Sequence, residues 1–291
     1  MSYPSGPPQA VEQHCYRHTD RRAGVSCQRC NRPICPSCMI SASVGFQCPE
    51  CAKQGAKQQR LVDTFRKETT PRLTYALIGV NVAVFLVGMA IGSSASGVGG
   101  SFNGDFGLYR NAVANGEWWR LITSGFLHAG FLHLGFNMFA LYSLGGFLER
   151  VIGPVKFALI YGASLIGGSL GVTLLAGPLD LTVGASGAIF GVFAAFAVLQ
   201  VSRGLSPWAN GIGSTILLNL FITFAVPGIS IGGHLGGLVT GAVAGALLIG
   251  VNPRQALERQ KQLPLFGGAV AGLAAVLFAA SIAAAHALPL V

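Results

Sequence analysis

From Leu73 to Val291 the chain is built almost entirely of Ala, Val, Leu, Ile, Phe and Gly, arranged in long apolar runs. A helix needs about 20 apolar residues to cross the hydrocarbon core of a bilayer, and it must satisfy its backbone amides internally. Seven runs are candidates, at roughly 73–91, 130–148, 155–176, 184–201, 211–227, 231–250 and 267–286. The expected fold class is therefore an all-α polytopic membrane protein. Charged residues make up 10% of the chain, against about 25% in soluble domains, which excludes an ordinary cytosolic enzyme. Thirty-seven of the 41 glycines fall in this apolar part. They interrupt the fourth to sixth runs, which is tolerable where neighbouring helices satisfy the freed backbone groups.

Charge sits elsewhere. Eleven of the 19 Lys and Arg residues precede Leu73, as do all seven cysteines. A net charge of +9 could point to nucleic acid, but basic residues flanking apolar spans are better explained as topology signals. With the N-terminus inside, the inner loops carry Arg150, Lys156, Arg203, Arg254, Arg259 and Lys261, and the outer ones only Arg110 and Arg120. This predicts a multi-pass cell-membrane protein with a cytoplasmic N-terminus and an external C-terminus. Residues 1–13 hold too little apolar material to fold and lack a signal-peptide core. Residues 53–72 read as a basic, helix-capable linker, so the domains are expected at 14–52 and 73–291.

Within 14–52 the cysteines come in pairs: Cys15 with His18, Cys27 with Cys30, Cys35 with Cys38, and Cys48 with Cys51. Seven thiols and one imidazole are the ligand set of two tetrahedral Zn²⁺ sites. His14 is a second candidate imidazole, though the CxxH spacing favours His18. So small a segment needs metal binding for most of its folding free energy. A disulfide framework would leave one cysteine over. Four complete pairs leave no open coordination position, so the zincs are expected to be structural, the module to dock a cytosolic protein partner, and its reduced thiols to face the cytosol. The spacing resembles a B-box-type zinc module, although a CxxC stands where that family often carries histidines. That resemblance implies that the first and third pairs share one ion and the second and fourth the other; spacing alone permits sequential pairing nearly as well.

In the membrane part the second, fourth and sixth runs all enter from the outer side, so their first turns share one depth. Those turns hold the unusual polar residues: His128, His133 and Asn137, then Ser186, then His234. Imidazoles and amides facing lipid are costly, so these are expected to face a common polar interior. A serine becomes a nucleophile only when a base takes its proton, and histidine is the available base. Gly187 and Gly191 follow the serine, and Gly237, Gly241 and Gly245 follow His234, at a spacing that lets two helices approach closely. No span carries a carboxylate in this reading, with Glu149 placed just beyond the second; a Ser–His dyad is the economical arrangement. Asn137, His133 and the Ser186 backbone N–H are the candidate oxyanion donors, and His128 is a candidate supporting residue that would act through hydrogen bonds.

These residues resemble the rhomboid family of intramembrane serine proteases. The match runs through Trp119-Arg120, the spacing HxxxxHxxxN at His128, His133 and Asn137, the GASG of Gly184 to Gly187 around Ser186, and His234 with Gly237 and Gly241. The resemblance implies a six-helix core with an added seventh helix, a water-filled cavity open to the outside, and a partly embedded outer loop over 93–129 anchored by Arg120. It further implies Ser186 as nucleophile, His234 as general base and acid, no cofactor for catalysis, and substrates that are transmembrane helices of other proteins in the bilayer. Two other classes compete with it. A non-catalytic relative that binds and routes client membrane proteins is expected to lack the Ser or the His. A transporter is expected to show inverted repeats or embedded carboxylates. The absence of HExxH argues against a membrane zinc protease.

Overall fold

A computed structural model describes residues 13–42, 44–53, 70–208 and 211–289. The segment 1–13 and the linker 53–72, read above as unstructured and helix-capable, lie outside the described residues except at their edges. The chain divides into two units, Met1–Glu68 and Thr69–Val291.

The first unit is two short hairpins that present sulfur. Strand β1 (Val25–Ser26) pairs antiparallel with β2 (Pro33–Ile34), Val25 opposite Ile34, and β3 (Ile40–Ser41) pairs with β4 (Phe46–Gln47), Ile40 opposite Gln47. Cys27 and Cys30 sit in the turn between β1 and β2, Cys35 and Cys38 flank the short helical turn that follows β2, and Cys48 and Cys51 meet at a helical turn over 49–53. Two-residue strands bury almost nothing apolar. The interior consists of six buried cysteines packed around Ile34.

The second unit is helical. Helix α1 (Arg72–Ala90) leads into a long loop carrying α2 (Ser101–Phe106), α3 (Arg110–Ala114) and α4 (Arg120–Thr123). Then come α5 (Phe131–Ile152), α6 (Pro154–Leu175), α7 (Ser186–Ser202), α8 (Ile212–Ala225), α9 (Ile231–Ile249), α10 (Pro253–Lys261) and α11 (Leu263–Ala287). Sharp stops between them follow the local sequence. Gly153 and Gly250 take φ +86° and +87°, and Pro154 and Pro253 open the helices that follow. Among the described residues, five helices, α1, α5, α6, α9 and α11, are long and apolar enough to cross a membrane.

The remaining two are shorter than the sequence suggests. α7 has 17 residues because Gly184, at φ +131°, holds the chain out of helical geometry before Ser186. α8 has 14 and stops ahead of Val226-Pro227-Gly228. For α7 the shortfall is absorbed inside the bundle: Ala188, Ile189, Phe190, Val192, Phe193 and Ala195 are all buried, so protein surrounds most of it.

A second difference concerns Glu149. The apolar run predicts a second span ending near 148 with Glu149 at its far end, whereas α5 passes through a π-helical turn at Leu141–Gly145 and runs on to Ile152. Glu149 therefore lies within the helix and is 4% exposed. Its carboxylate accepts the backbone N–H of Leu73 (3.0 Å) and of Thr74 (2.7 Å) and the Thr74 hydroxyl (2.7 Å). The first N–H groups of a helix have no internal partner and carry partial positive charge, so a carboxylate docked there satisfies both groups at once. No local rule reveals that the partner of Arg72–Ala90 is a residue more than 70 positions downstream.

α6 is the centre of the bundle, packed against α7, α9 and α11, with Phe157, Ile160, Leu165 and Ile166 in the main core. Its contacts with α9 are backbone to backbone. A Cβ on Gly171 would overlap the Gly232 carbonyl, and one on Gly236 would overlap the carbonyl of Gly167. The α7–α9 seam is built the same way, Gly237 lying on the Gly187 carbonyl and Gly241 on Gly191. Small residues at such seams replace the hydrophobic drive that is missing between helices in lipid with close dispersion contact. The loop before α5 is fastened by Arg120, which is buried and donates from Nη1 to the carbonyls of Gly104 (2.6 Å) and Gly107 (2.8 Å) and from Nε to Glu117 (2.7 Å). Trp118 and Trp119 remain about half exposed beside it.

Candidate active site and metal clusters

Ser186 is the first residue of α7 and His234 lies in the first turn of α9, so the glycine seam that holds these helices together also brings their polar ends together. Ser186 Oγ and His234 Nε2 are 2.8 Å apart. Two further side chains fix the imidazole. Phe190, one turn after the serine, stacks on its face at 4.1 Å between ring centroids and 18° between planes. Thr223 of α8 places its Oγ1 2.7 Å from the other ring nitrogen, Nδ1. Neither residue was singled out in the sequence. Phe190 shares its face with Ser186 by the i, i+4 rule and was accessible to that argument. Thr223 was not, because its relation to His234 is set only by how α8 packs.

α5 contributes the opposite wall. The backbone N–H of Ala129 donates to His133 Nδ1 (3.2 Å), so a neutral His133 ring carries its proton on Nε2. That edge faces Gly184, where an added Cβ would meet Nε2 at 2.8 Å. Gly184 thus has two reasons to be glycine, its positive φ and the imidazole beside it. Asn137, one turn on from His133, is 6% exposed, and its side-chain nitrogen has no hydrogen-bond partner among the described residues. A buried amide N–H without an acceptor costs free energy, so such a group marks a place where an acceptor is expected to arrive. His128 is 1% exposed, its ring nitrogens have no side-chain hydrogen-bond partner among the described residues, and its ring packs edge-on against His133 at 5.2 Å. A cavity of about 30 Å³ adjoins the first turn of α7, lined among others by Ser124, Gly168, Ser169, Ser186 and Gly233. It has room for about one water.

In the first unit, Cys15, His18, Cys35 and Cys38 form one group of ligand atoms, and Cys27, Cys30, Cys48 and Cys51 another, each with all four atoms within 4.8 Å of one another. Of the two pairings left open by spacing, this is the crossed one, and His18 rather than His14 is the imidazole. The distances discriminate between the chemistries. Cys30 Sγ and Cys48 Sγ are 3.8 Å apart, far from the ~2.05 Å of a disulfide. The edge of a tetrahedron with Zn–S bonds of ~2.3 Å is ~3.8 Å, and an S–N edge is ~3.6 Å. His18 Nδ1 lies 3.3, 3.4 and 4.0 Å from Cys38, Cys35 and Cys15. Protonation points the same way. Burial raises the thiols, but backbone N–H groups outweigh it for Cys15 and Cys27 and bring both to about 6. Burial and neighbouring thiols push Cys38 up to about 11, and the Cys48 thiol together with burial pushes Cys51 up to about 12. Each cluster is therefore a set of four donors able to hold a cation.

Comparison with known proteins bears on the membrane unit. Residues 115–251 match the family model of the rhomboid domain. The chain is 39% identical over 186 residues to rhomboid protease GluP of Bacillus subtilis (strain 168), covering 61% of this chain and 35% of that protein. It is 45% identical over 96 residues to the putative rhomboid protease YdcA of the same organism, covering 33% of this chain and 48% of the relative. With rhomboid-like protease 1 of Toxoplasma gondii it shares 33% identity over 150 residues, 48% of this chain and 50% of the other. The chain thus spans a third to a half of the length of these relatives. The matched region holds the Ser186–His234 pair, the α5 wall and the glycine seams, so the part of the chain that resembles the rhomboid domain is the part that carries the candidate site.

Proposed function

We propose that this protein is an intramembrane serine endopeptidase that cleaves transmembrane-helix substrates near the outer membrane face with a Ser186–His234 dyad. The observation that carries the reading is the 2.8 Å contact between the Ser186 hydroxyl and His234 Nε2, a nucleophile and a base within proton-transfer reach. The names of its relatives, which are rhomboid proteases, support the same activity.

In this mechanism His234 Nε2 takes the Ser186 proton as Oγ attacks the scissile carbonyl carbon. The C=O π electrons move onto oxygen, and the imidazolium then delivers its proton to the leaving amine as the C–N bond breaks. Water hydrolyses the acyl-serine by the reverse proton sequence. The oxyanion is held by the Asn137 amide, His133 Nε2–H and the backbone N–H of Ser186 at the start of α7; each preorganised donor is worth about 3 kcal/mol. Gly184 keeps space for that oxygen beside His133. Trp119, Arg120 and His128 act through the loop and packing around the site, and Gly187, Gly237 and Gly241 through the seam.

The first unit is assigned two structural Zn²⁺ ions, a cytosolic location and a role in docking a cytosolic protein, with the C-terminus outside. Covalent labelling of the full-length, detergent-solubilised protein by a fluorophosphonate tests the central claim. Labelling is expected at Ser186 and lost in Ser186→Ala and His234→Ala. An unlabelled wild type, or equal labelling of Ser186→Ala, removes the protease reading.

A further inference from the structure

A base must carry its proton on the correct nitrogen, and among the described residues no carboxylate contacts His234 to enforce that. Thr223 lies on a helix that is mostly apolar and largely open, with Leu218, Phe221 and Phe224 exposed, yet Thr223 itself is 2% exposed. Its packing does not require a hydroxyl. The hydroxyl has one proton, and it lies 2.7 Å from the Asn219 carbonyl one turn back, the i−4 geometry that threonine adopts readily in helices. Donating there leaves Oγ1 with only lone pairs towards His234 Nδ1, 2.7 Å away.

We propose that Thr223, committed by the Asn219 carbonyl to act as an acceptor, is the positioning residue that holds the His234 proton on Nδ1 and so leaves Nε2 free to accept the proton of Ser186. This rests on the reading of Ser186 and His234 as the catalytic pair, and extends it to a third helix. The relay is Asn219 C=O, Thr223 O–H, His234 Nδ1–H, with Nε2 left to accept from Ser186 Oγ–H, every donor meeting one acceptor. It replaces the orienting carboxylate of a triad with a neutral hydroxyl, which adds no buried charge in a low-dielectric site. Reversing the Thr223 proton would put hydrogen on Nε2 and leave the serine with no base. The protonation pattern of His234 on α9 therefore depends on α8 being seated.

The test uses the full-length protein with ¹⁵N-labelled histidine in detergent, the His234 signals being identified by their loss in His234→Ala. Two-bond ¹H–¹⁵N correlation reads which nitrogen carries the proton. In the wild type His234 is expected to be protonated at Nδ1. In Thr223→Val, which keeps the shape but removes the acceptor, the proton is expected to move substantially to Nε2. Fluorophosphonate labelling and kcat for a transmembrane substrate should fall by about tenfold or more, with KM changed by less than about twofold. Thr223→Ser should recover labelling to within about threefold of wild type and restore the Nδ1 proton, which a purely volumetric role would not require. An Nε2-protonated wild type, or a Thr223→Val protein with unchanged tautomer and rate, overturns the proposal. A wild type that is not labelled at all removes the protease reading instead, while the tautomer still decides the role of Thr223.

Discussion

Gly237→Ala is the sharpest test of how the dyad is built. Gly237 lies one turn beyond His234 on α9, and a methyl there would overlap the carbonyl oxygen and carbon of Gly187, the residue after Ser186. Ordinary contact begins near 3.4 Å, so the two backbones must part by on the order of 1 Å. Neither side can yield locally, because both are helix backbone and Gly187 is backed by Gly168 and Gly233. Overpacking of this kind costs about 1–3 kcal/mol of stability. Its larger effect falls on the 2.8 Å Ser186–His234 contact, since a misplacement of about 1 Å at reacting groups costs on the order of a hundredfold in rate. The assay is the rate of fluorophosphonate labelling at Ser186 together with thermal unfolding in detergent. Gly79→Ala on α1, where an added Cβ meets nothing within 4 Å, is the control; it should label like wild type and be as stable or slightly more so. If Gly237→Ala labels at the wild-type rate, the claim that the seam sets the dyad is refuted.

Asn137→Ala should leave folding intact and lower kcat by about a hundredfold while labelling at Ser186 persists more weakly, because it removes one donor, not the nucleophile; an unchanged kcat in a transmembrane-substrate assay would remove Asn137 from the oxyanion site. Glu149→Ala should lower the unfolding temperature, costing about 2–4 kcal/mol, because three donors at the start of α1 lose their shared acceptor; a melting curve superimposable on wild type would show that the carboxylate contributes nothing. Cys27→Ala should release one of two bound zinc ions per chain, measured by elemental analysis, and leave Ser186 labelling within about twofold of wild type; retention of both ions would contradict the assigned ligand set.

What could be read from the sequence and what could not divide along a physical line. Apolar runs, paired cysteines and polar residues in the first turns of spans are local signals, and the helices α1, α5, α6, α9 and α11 begin within a few residues of where those signals place them. Ser186, His234, His133 and Asn137 could be singled out because a polar side chain is conspicuous in an apolar run. The misses are relations between elements. Glu149 is ordinary at a helix end until α1 docks on it, and the π-helical turn that carries α5 past the expected end has no composition marker. Gly167 and Gly171 on α6 look like generic helix glycines until they are seen against Gly236 and Gly232. Thr223 is one threonine among many, and only the pairing of its neighbours distinguishes it.

The same contrast explains why the site sits where it does. Three helices meet at glycines, and a seam of backbone against backbone is rigid because it has no rotamers to adjust. Rigidity is what a dyad without a carboxylate needs: with no charge to pull the imidazole into place, its position must come from packing, here from Phe190 on its face and the α7–α9 seam beneath it. Its protonation must then come from a neutral partner. That requirement accounts together for two features that are odd separately, a short helix, α8, held by few contacts, and a hydroxyl buried on that helix directly opposite the histidine. In the proposed mechanism, long-range positioning by glycine and short-range orientation by threonine take the place of the buried acid of a serine-protease triad, without placing a second charge inside the bundle.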